Sequence, residues 1–248
     1  MSRLIAVSNR VAPPRAEAKS AGGLAVGVLA ALEEHGGIWF GWNGKTTKGT
    51  PGDPDLNQIG NITYATIDLN DKSYEKYYNG FSNTSLWPIC HYLLNFFKYD
   101  RSEYDEYRQV NALFARKLLP LIQPDDIIWV HDYHLIPLAS ELRRAGVTNP
   151  IGFFLHVPFP DIEILRVLPV YKQLLRCFGA YDVVGFHTQS DLRSFNEAIS
   201  HAEIGGMEQA DRRTTNGKRT LKADVFPIGV NVDNCIELAE STHGHDKT

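Results

Sequence analysis

Short apolar runs alternate along this chain with longer stretches whose apolar residues recur at helical spacing. The runs Leu4–Val7, Ile38–Phe40, Ile62–Ile67, Ile127–Val130, Ile151–Val157 and Val183–Phe186 have the length of strands. Several are nearly unbroken, the pattern of strands covered on both faces in a parallel sheet. Between them, "GGLAVGVLAALEEHG" (22–36) predicts a helix that begins at a glycine pair and ends on a glycine cap. "SEYDEYRQVNALFARKLLPLI" predicts another, with Ser102 and Asp105 spaced as a capping box and Tyr107, Val110, Leu113, Phe114 and Leu118 on one face. Pro137 falls in the first turn of a helix after His134, and Ser190 is the expected N-cap of a helix over 190–199. This alternation predicts an α/β fold with a doubly wound, mainly parallel sheet. Two polar stretches, 43–61 and 201–222, read as exposed loops. The second carries Arg212, Arg213, Lys218, Arg219 and Lys222, either a solvated loop or an anion site.

Composition narrows the classes. With 248 residues, 43% hydrophobic and 22% charged, the chain has what a soluble globule needs to bury a core. A net charge of −4 argues against a nucleic-acid or anionic-membrane partner. The opening "MSRLIAVSNR" holds too short an apolar run for a signal peptide or a membrane span. Cys90, Cys177 and Cys235 are few, odd in number and far apart, which suits a reduced, cytoplasmic protein and no cysteine metal site.

In open α/β sheets ligands bind beyond the carboxyl ends of the strands, so the polar residues after each apolar run are the first candidates. Arg10, after the first run, suits a phosphate or carboxylate, which its guanidinium can grip with two charged hydrogen bonds. Gly22 and Gly23 at a helix start would offer backbone N–H groups to an anion, although a tight turn is the readier explanation of the pair taken alone, and the GxGxxG spacing is not met. In "YEKYYNGFSNTSLWP" (74–88), Tyr74, Tyr77, Tyr78 and Phe81 have the spacing of a packed helix face. Tyr78 and Trp87 flank a turn containing glycine and asparagine, and rings of this kind cover sugar faces. His156, between "GFFL" and "VPFP", is either a satisfied core residue or a ligand contact. The segment "HDYH" (131–134) ends a strand run. His131 and His134 do not share one helical face, so a metal centre is not expected there. A glycosidase would need two opposed carboxylates, for which Asp132 with Asp161 or Glu163 is the only pairing on offer.

Taken in order, "RLIAVSNRVAPP", "SAGGLAVGVLAAL", "GIWFGWNG", "YYNGFSNTSLWP", "IIWVHDYHLIPLASELRR", "IGFFLHVPFPDIEILRVLP", "DVVGFHT" and "VFPIGVNV" resemble the trehalose-6-phosphate synthases. The resemblance covers residues 1–232. It implies the Rossmann-like N-terminal half of a GT-B glycosyltransferase, one that moves glucose from UDP-glucose to glucose 6-phosphate with retention at the anomeric carbon. By position, it implies that Arg10 and Tyr78 contact the acceptor phosphate, Asp132 the acceptor sugar, and Trp87 a lid over the acceptor. It likewise implies Gly22 and Gly23 beside the donor diphosphate and His156 beside the transferred glucose. His156 and Asp132 are thus the expected catalytic positions, with no metal and no cofactor.

The sequence stops soon after "VFPIGVNV", about where such enzymes cross into their second, nucleotide-sugar half. The expectation is therefore one acceptor-side domain over 1–235 and a polar tail over 236–248 in which His243 and His245 are tail residues. Such a chain would be inactive alone, and would self-associate or pair with a chain carrying the second half. The alternative is a regulatory or vestigial module that binds glucose 6-phosphate without transferring anything.

Overall fold

The computed structural model describes residues 2–11, 23–202, 207–210, 213–216 and 219–227. Ten strands form one sheet: β1 (Leu4–Arg10), β2 (Gly37–Thr47), β3 (Asp55–Ile59), β4 (Ile62–Asn70), β5 (Ile127–His131), β6 (Ile151–Phe154), β7 (Val183–Phe186), β8 (Met207–Ala210), β9 (Arg213–Asn216) and β10 (Arg219–Val225). Their order is β3-β4-β2-β1-β5-β6-β7-β10-β9-β8. From β4 through β10 every pairing is parallel, while β3 and the β9-β8 pair add antiparallel edges.

The period-two alternation of strand side chains divides the apolar residues between two cores. On β1, Ile5 and Val7 join a large core with Phe40, Val130 and Phe153, covered by the helices Arg101–Leu118, Leu138–Arg144, Tyr171–Phe178 and Gln189–His201. Ala6, between them, points the other way and joins Trp39, Tyr64, Val28 and Leu32 beneath the helix Gly23–His35. Unbroken apolar runs are what strands with two buried faces require. The six strand runs and the helix starting at Gly23 stand as the pattern predicts, with Gly36 at a φ of +69° closing that helix.

The differences lie where local chemistry competes with pattern. The stretch 43–61 is not all loop: it holds the end of β2 and the edge strand β3, whose five residues are all exposed and so carry no apolar signature. The stretch 201–222 likewise holds β8, β9 and the start of β10. Arg212 and Lys218, the tail 236–248, Cys235, His243 and His245 lie outside the described residues. Asp100, not Ser102, caps the helix Arg101–Leu118, accepting from the Ser102 and Glu103 amides, because its carboxylate reaches both. Thr188 replaces Ser190 as the cap of the helix Gln189–His201, in a reciprocal capping box with Asp191. Pro137 stands at the junction between a 3-10 turn, Tyr133–Leu135, and the helix Leu138–Arg144, just before the helix rather than inside its first turn.

The segment 74–88 is not a turn. Within Tyr74–Leu86 it forms two wide helical stretches separated by a kink at Gly80, whose backbone is non-helical (φ −74°, ψ −110°), and it continues into the helix Trp87–Cys90. The aromatic spacing shows in the helical stretches and the asparagine–glycine signal in the kink between them. A Cβ on Gly80 would come 2.7 Å from the Glu103 carboxyl carbon, so glycine here also leaves room for that side chain.

Gly41 on β2 admits no side chain, since a Cβ there would stand 2.2 Å from the Ser8 carbonyl oxygen and 2.9 Å from Val11 Cγ2. Gly41→Ala should lower the unfolding free energy by about 1–3 kcal/mol, as overpacking does. Urea unfolding reads this as a lower midpoint at unchanged slope. Gly49→Ala, with nothing within 4 Å of the added carbon, is the neutral control.

Candidate functional site

Because β2, β1, β5 and β6 are neighbours and parallel, their carboxyl ends form one rim. The "SNR" segment at the end of β1 divides its tasks. Ser8 accepts the Trp39 indole N–H at 2.9 Å, and Asn9 accepts the buried Tyr77 hydroxyl at 2.7 Å. Arg10 is exposed, and its guanidinium lies over the Trp42 ring, 5.9 Å from the centroid. Gly44, at a φ of +86°, leaves the room: a Cβ there would stand 2.9 Å from Arg10 Nε and Nη2. Trp42 is itself fixed, its indole N–H donating to the Lys45 carbonyl at 2.6 Å.

From Trp42 a series of rings runs along the rim. Tyr78 packs on Trp42 at 5.7 Å and stacks on His134 at 5.8 Å and 15°; His134 stacks on Tyr133 at 4.0 Å and 29°. The wide helix makes this possible by turning Tyr77 into the core while Tyr74 and Tyr78 face Trp42. The Tyr133 hydroxyl donates to Asn83 Oδ1 at 3.0 Å, binding that helix to the end of β5.

Asp132 follows β5 with φ 74° and ψ 165°, a conformation nearly confined to glycine. Its Oδ1 accepts from the Tyr133 amide at 3.0 Å and the His156 amide at 3.3 Å, and its own amide donates to the Phe154 carbonyl at 2.8 Å. Burial raises its pKa from 3.8 to about 6, against the two amide hydrogen bonds and the nearby His91, which favour the charged form. His91 stacks on Trp87 at 4.2 Å, and Trp87 is 38% exposed.

His156, just past β6, is half-buried, and burial, with a smaller contribution from His187, lowers its pKa to about 4. Its Nε2 lies 3.0 Å from Nδ1 of the buried His131. His134 is buried with no hydrogen-bond partner on either ring nitrogen, and burial lowers its pKa to about 3. The two histidines of "HDYH" thus serve different neighbours. Among the described residues no group of three His, Cys, Asp or Glu side chains is placed to hold a metal ion.

Arg10, Tyr78, Asp132 and His156 therefore share the rim, and Trp87 stacks on His91, which lies near Asp132. Gly23 begins the helix that covers the opposite face of the sheet, and Gly22 lies outside the described residues. Asp161 and Glu163 are otherwise engaged: Asp161 accepts the Ser194 hydroxyl at 2.6 Å, and Glu163 pairs with Arg166 on the surface. The segment "FGWNG" was expected on this rim, but sequence reading gave no role of their own to Trp42, Gly44 or His187. They sit two, four and one residues past an apolar run, which is the signal that would have found them. Chemically, the rim offers a cation at one end, flat apolar rings along it, then a carboxylate and a neutral imidazole.

A family profile described as glycosyltransferase family 20 matches residues 5–248. A trehalose-6-phosphate synthase of Escherichia coli is 50% identical over 232 residues, 93% of this chain and 48% of that protein. Among solved structures, an alpha,alpha-trehalose-phosphate synthase (UDP-forming) from Burkholderia vietnamiensis superposes with a TM-score of 0.92 at 49% identity, covering 99% of this chain and 52% of that one. The corresponding enzyme of Burkholderia xenovorans, solved in complex with glucose-6-phosphate, gives 0.90 at 45% identity, covering 99% and 54%. The chain spans about half the length of the curated relatives it matches.

The raised pKa of Asp132 has a signed consequence for stability. Its folded state holds the proton more tightly than the unfolded chain, so the stability it contributes is fully present below about pH 3.8 and is lost as pH rises through about 6. Asp132→Asn carries no such charge. Its stability relative to wild type should increase by about 1–3 kcal/mol between pH 4 and pH 7. Urea unfolding at both pH values measures this, and an unchanged difference contradicts the buried-carboxylate assignment.

Proposed function

The chain belongs to glycosyltransferase family 20, and we propose that it forms the acceptor-side half of an enzyme that transfers glucose from UDP-glucose to glucose 6-phosphate, giving trehalose 6-phosphate and UDP. Its fold is the Rossmann-like half of a GT-B glycosyltransferase. The observation that carries the reading is the continuous row from Arg10 through Trp42, Tyr78 and His134 to Asp132. Through Tyr133, the neighbour of Asp132, it links a cation to a carboxylate, the two kinds of group that a phosphate and sugar hydroxyls call for. The Burkholderia xenovorans enzyme, solved in complex with glucose-6-phosphate, supports it.

In this reading Arg10 takes the acceptor phosphate, which carries about −1.5 to −2 charges near neutrality. Tyr78 adds its hydroxyl to the phosphate, and Asp132 accepts from the sugar hydroxyls. Trp87 closes over the acceptor, and His156 donates to the transferred glucose. Gly22 and Gly23 approach the donor diphosphate. The reaction retains configuration without a protein nucleophile: the leaving diphosphate takes the proton of the attacking hydroxyl on the face it departs from. The protein's work is then positioning and charge stabilisation, and a neutral imidazole and a part-buried carboxylate suit that work because they need little reorganisation.

The partners follow from the same reading. Glucose 6-phosphate binds to residues 1–248, while productive use of UDP-glucose needs the second half that the relatives carry. Tyr92, Leu93, Leu94 and Phe96 form an exposed apolar run, with Phe96 65% exposed. We assign this run to contact with that half or with a second copy. Among the described residues no helix is long and apolar enough to cross a membrane. Cys90 and Cys177 are free thiols, which suit a reducing compartment, and the cytoplasm is the location that fits this reading.

Calorimetric titration tests the reading. Residues 1–248 should bind glucose 6-phosphate with micromolar affinity, and Arg10→Ala should weaken binding about 10- to 100-fold, the loss of one charged hydrogen-bond pair. UDP release from both substrates should be undetectable for these residues alone. Absence of glucose 6-phosphate binding contradicts the acceptor assignment, and robust turnover contradicts the need for a second half.

A further inference from the structure

A buried and a half-buried imidazole in direct contact must settle which of them carries the shared proton, and that choice fixes what the outer ring offers a ligand. His131 Nδ1 and His156 Nε2 stand 3.0 Å apart, their ring centroids 5.2 Å apart and tilted by 38°. Burial holds both rings neutral near pH 7. A neutral imidazole has one N–H and one lone pair, so two arrangements exist. If His156 donates from Nε2, His131 must carry its own proton on Nε2. If His131 donates from Nδ1, its Nε2 is a bare lone pair.

Among the described residues, the buried His131 Nε2 has no hydrogen-bond partner. The Trp129 ring covers His131 at 4.2 Å, and only 1% of the residue is exposed. A buried N–H left without an acceptor is costlier than an unused lone pair, which favours the second arrangement. His156 then receives a hydrogen bond at Nε2 and must carry its proton on Nδ1. Phe154 at 4.7 Å and His187 at 5.8 Å flank the ring and oppose its flipping. The backbone of His156 is held by the same segment, its amide donating to Asp132 Oδ1 at 3.3 Å.

We propose that His131 is the positioning residue of His156, holding it as the Nδ1–H tautomer so that this N–H is the group offered to a sugar oxygen in the cleft. The consequence for the sugar rests on the acceptor-cleft reading. The tautomer itself is measured with no sugar present, so a failure here leaves glucose 6-phosphate binding standing, and the converse holds equally.

The experiment is long-range proton–nitrogen correlation on residues 1–248 labelled with nitrogen-15 histidine at pH 7.5, the His156 peaks assigned by their loss in His156→Ala. Wild type should show His156 in the single pattern of the Nδ1–H tautomer. His131→Phe, which keeps a ring but removes the donor, should lose that pattern and show an averaged one. His131→Asn, whose amide places an N–H near the former Nδ1, should restore it. Circular dichroism reports folding. If His131→Phe does not fold, the wild-type and His131→Asn spectra decide on the same terms. An Nε2–H or averaged pattern in wild type overturns the proposal, as does an unchanged pattern in folded His131→Phe or its loss in folded His131→Asn.

Discussion

The carboxylate of Asp132 ties the end of β5 to the segment leaving β6, and it does so from a backbone that glycine alone adopts freely. Residues held in that region store strain on the order of 1–3 kcal/mol and persist where the surroundings over-determine them. Here the surroundings are explicit. The Asp132 amide is bound to the Phe154 carbonyl, its Oδ1 to two amides, and its neighbours His131 and Tyr133 are buried. Asparagine would retain much of this geometry without the charge, and glycine would relieve the strain but lose both amide contacts. Only aspartate places an acidic group at the rim, and the fold sustains it at a raised pKa.

The remainder of the rim is organised around that point by aromatic contacts rather than by ion pairs. Tyr133 and His134 extend from Asp132 into the stack with Tyr78 and Trp42, and the stack ends under the Arg10 guanidinium. A floor of rings keeps the spacing between Arg10 and Asp132 fixed without offering competing charges. A cation over an indole contributes only about 0.5–1 kcal/mol at an exposed site. The contact therefore orients Arg10 while leaving its hydrogen-bond donors to an anion. Rigid placement of opposite charges is what a site acting by positioning requires.

Much of this was legible in the sequence, for identifiable reasons. The parallel sheet showed itself because Leu4–Val7 and Ile151–Phe154 bury both faces, leaving no polar alternation to mask them. Edge strands did not, since every residue of Asp55–Ile59 is exposed and its pairing rests on backbone bonds alone. Strand-end placement made Arg10, Asp132 and His156 visible. In 74–88 the helical spacing of the aromatic residues was visible, but "YNGFSN" hid that helix resumes beyond the kink at Gly80 and runs on to Leu86. Trp42 was hidden as well. Its position between Arg10 and Tyr78 depends on three segments meeting, and no single segment encodes that.

The central claim is that one ligand, a sugar phosphate, spans the row from Arg10 to Asp132. The four tryptophans report on it directly, since Trp42 and Trp87 border the row while Trp39 and Trp129 lie away from the aromatic floor. In a titration of residues 1–248 with glucose 6-phosphate, the indole N–H resonances of Trp42 and Trp87 should shift and saturate together, with Trp39 and Trp129 unmoved. Shifts confined to Trp39 or Trp129, or none at all at saturating sugar phosphate, would contradict the account.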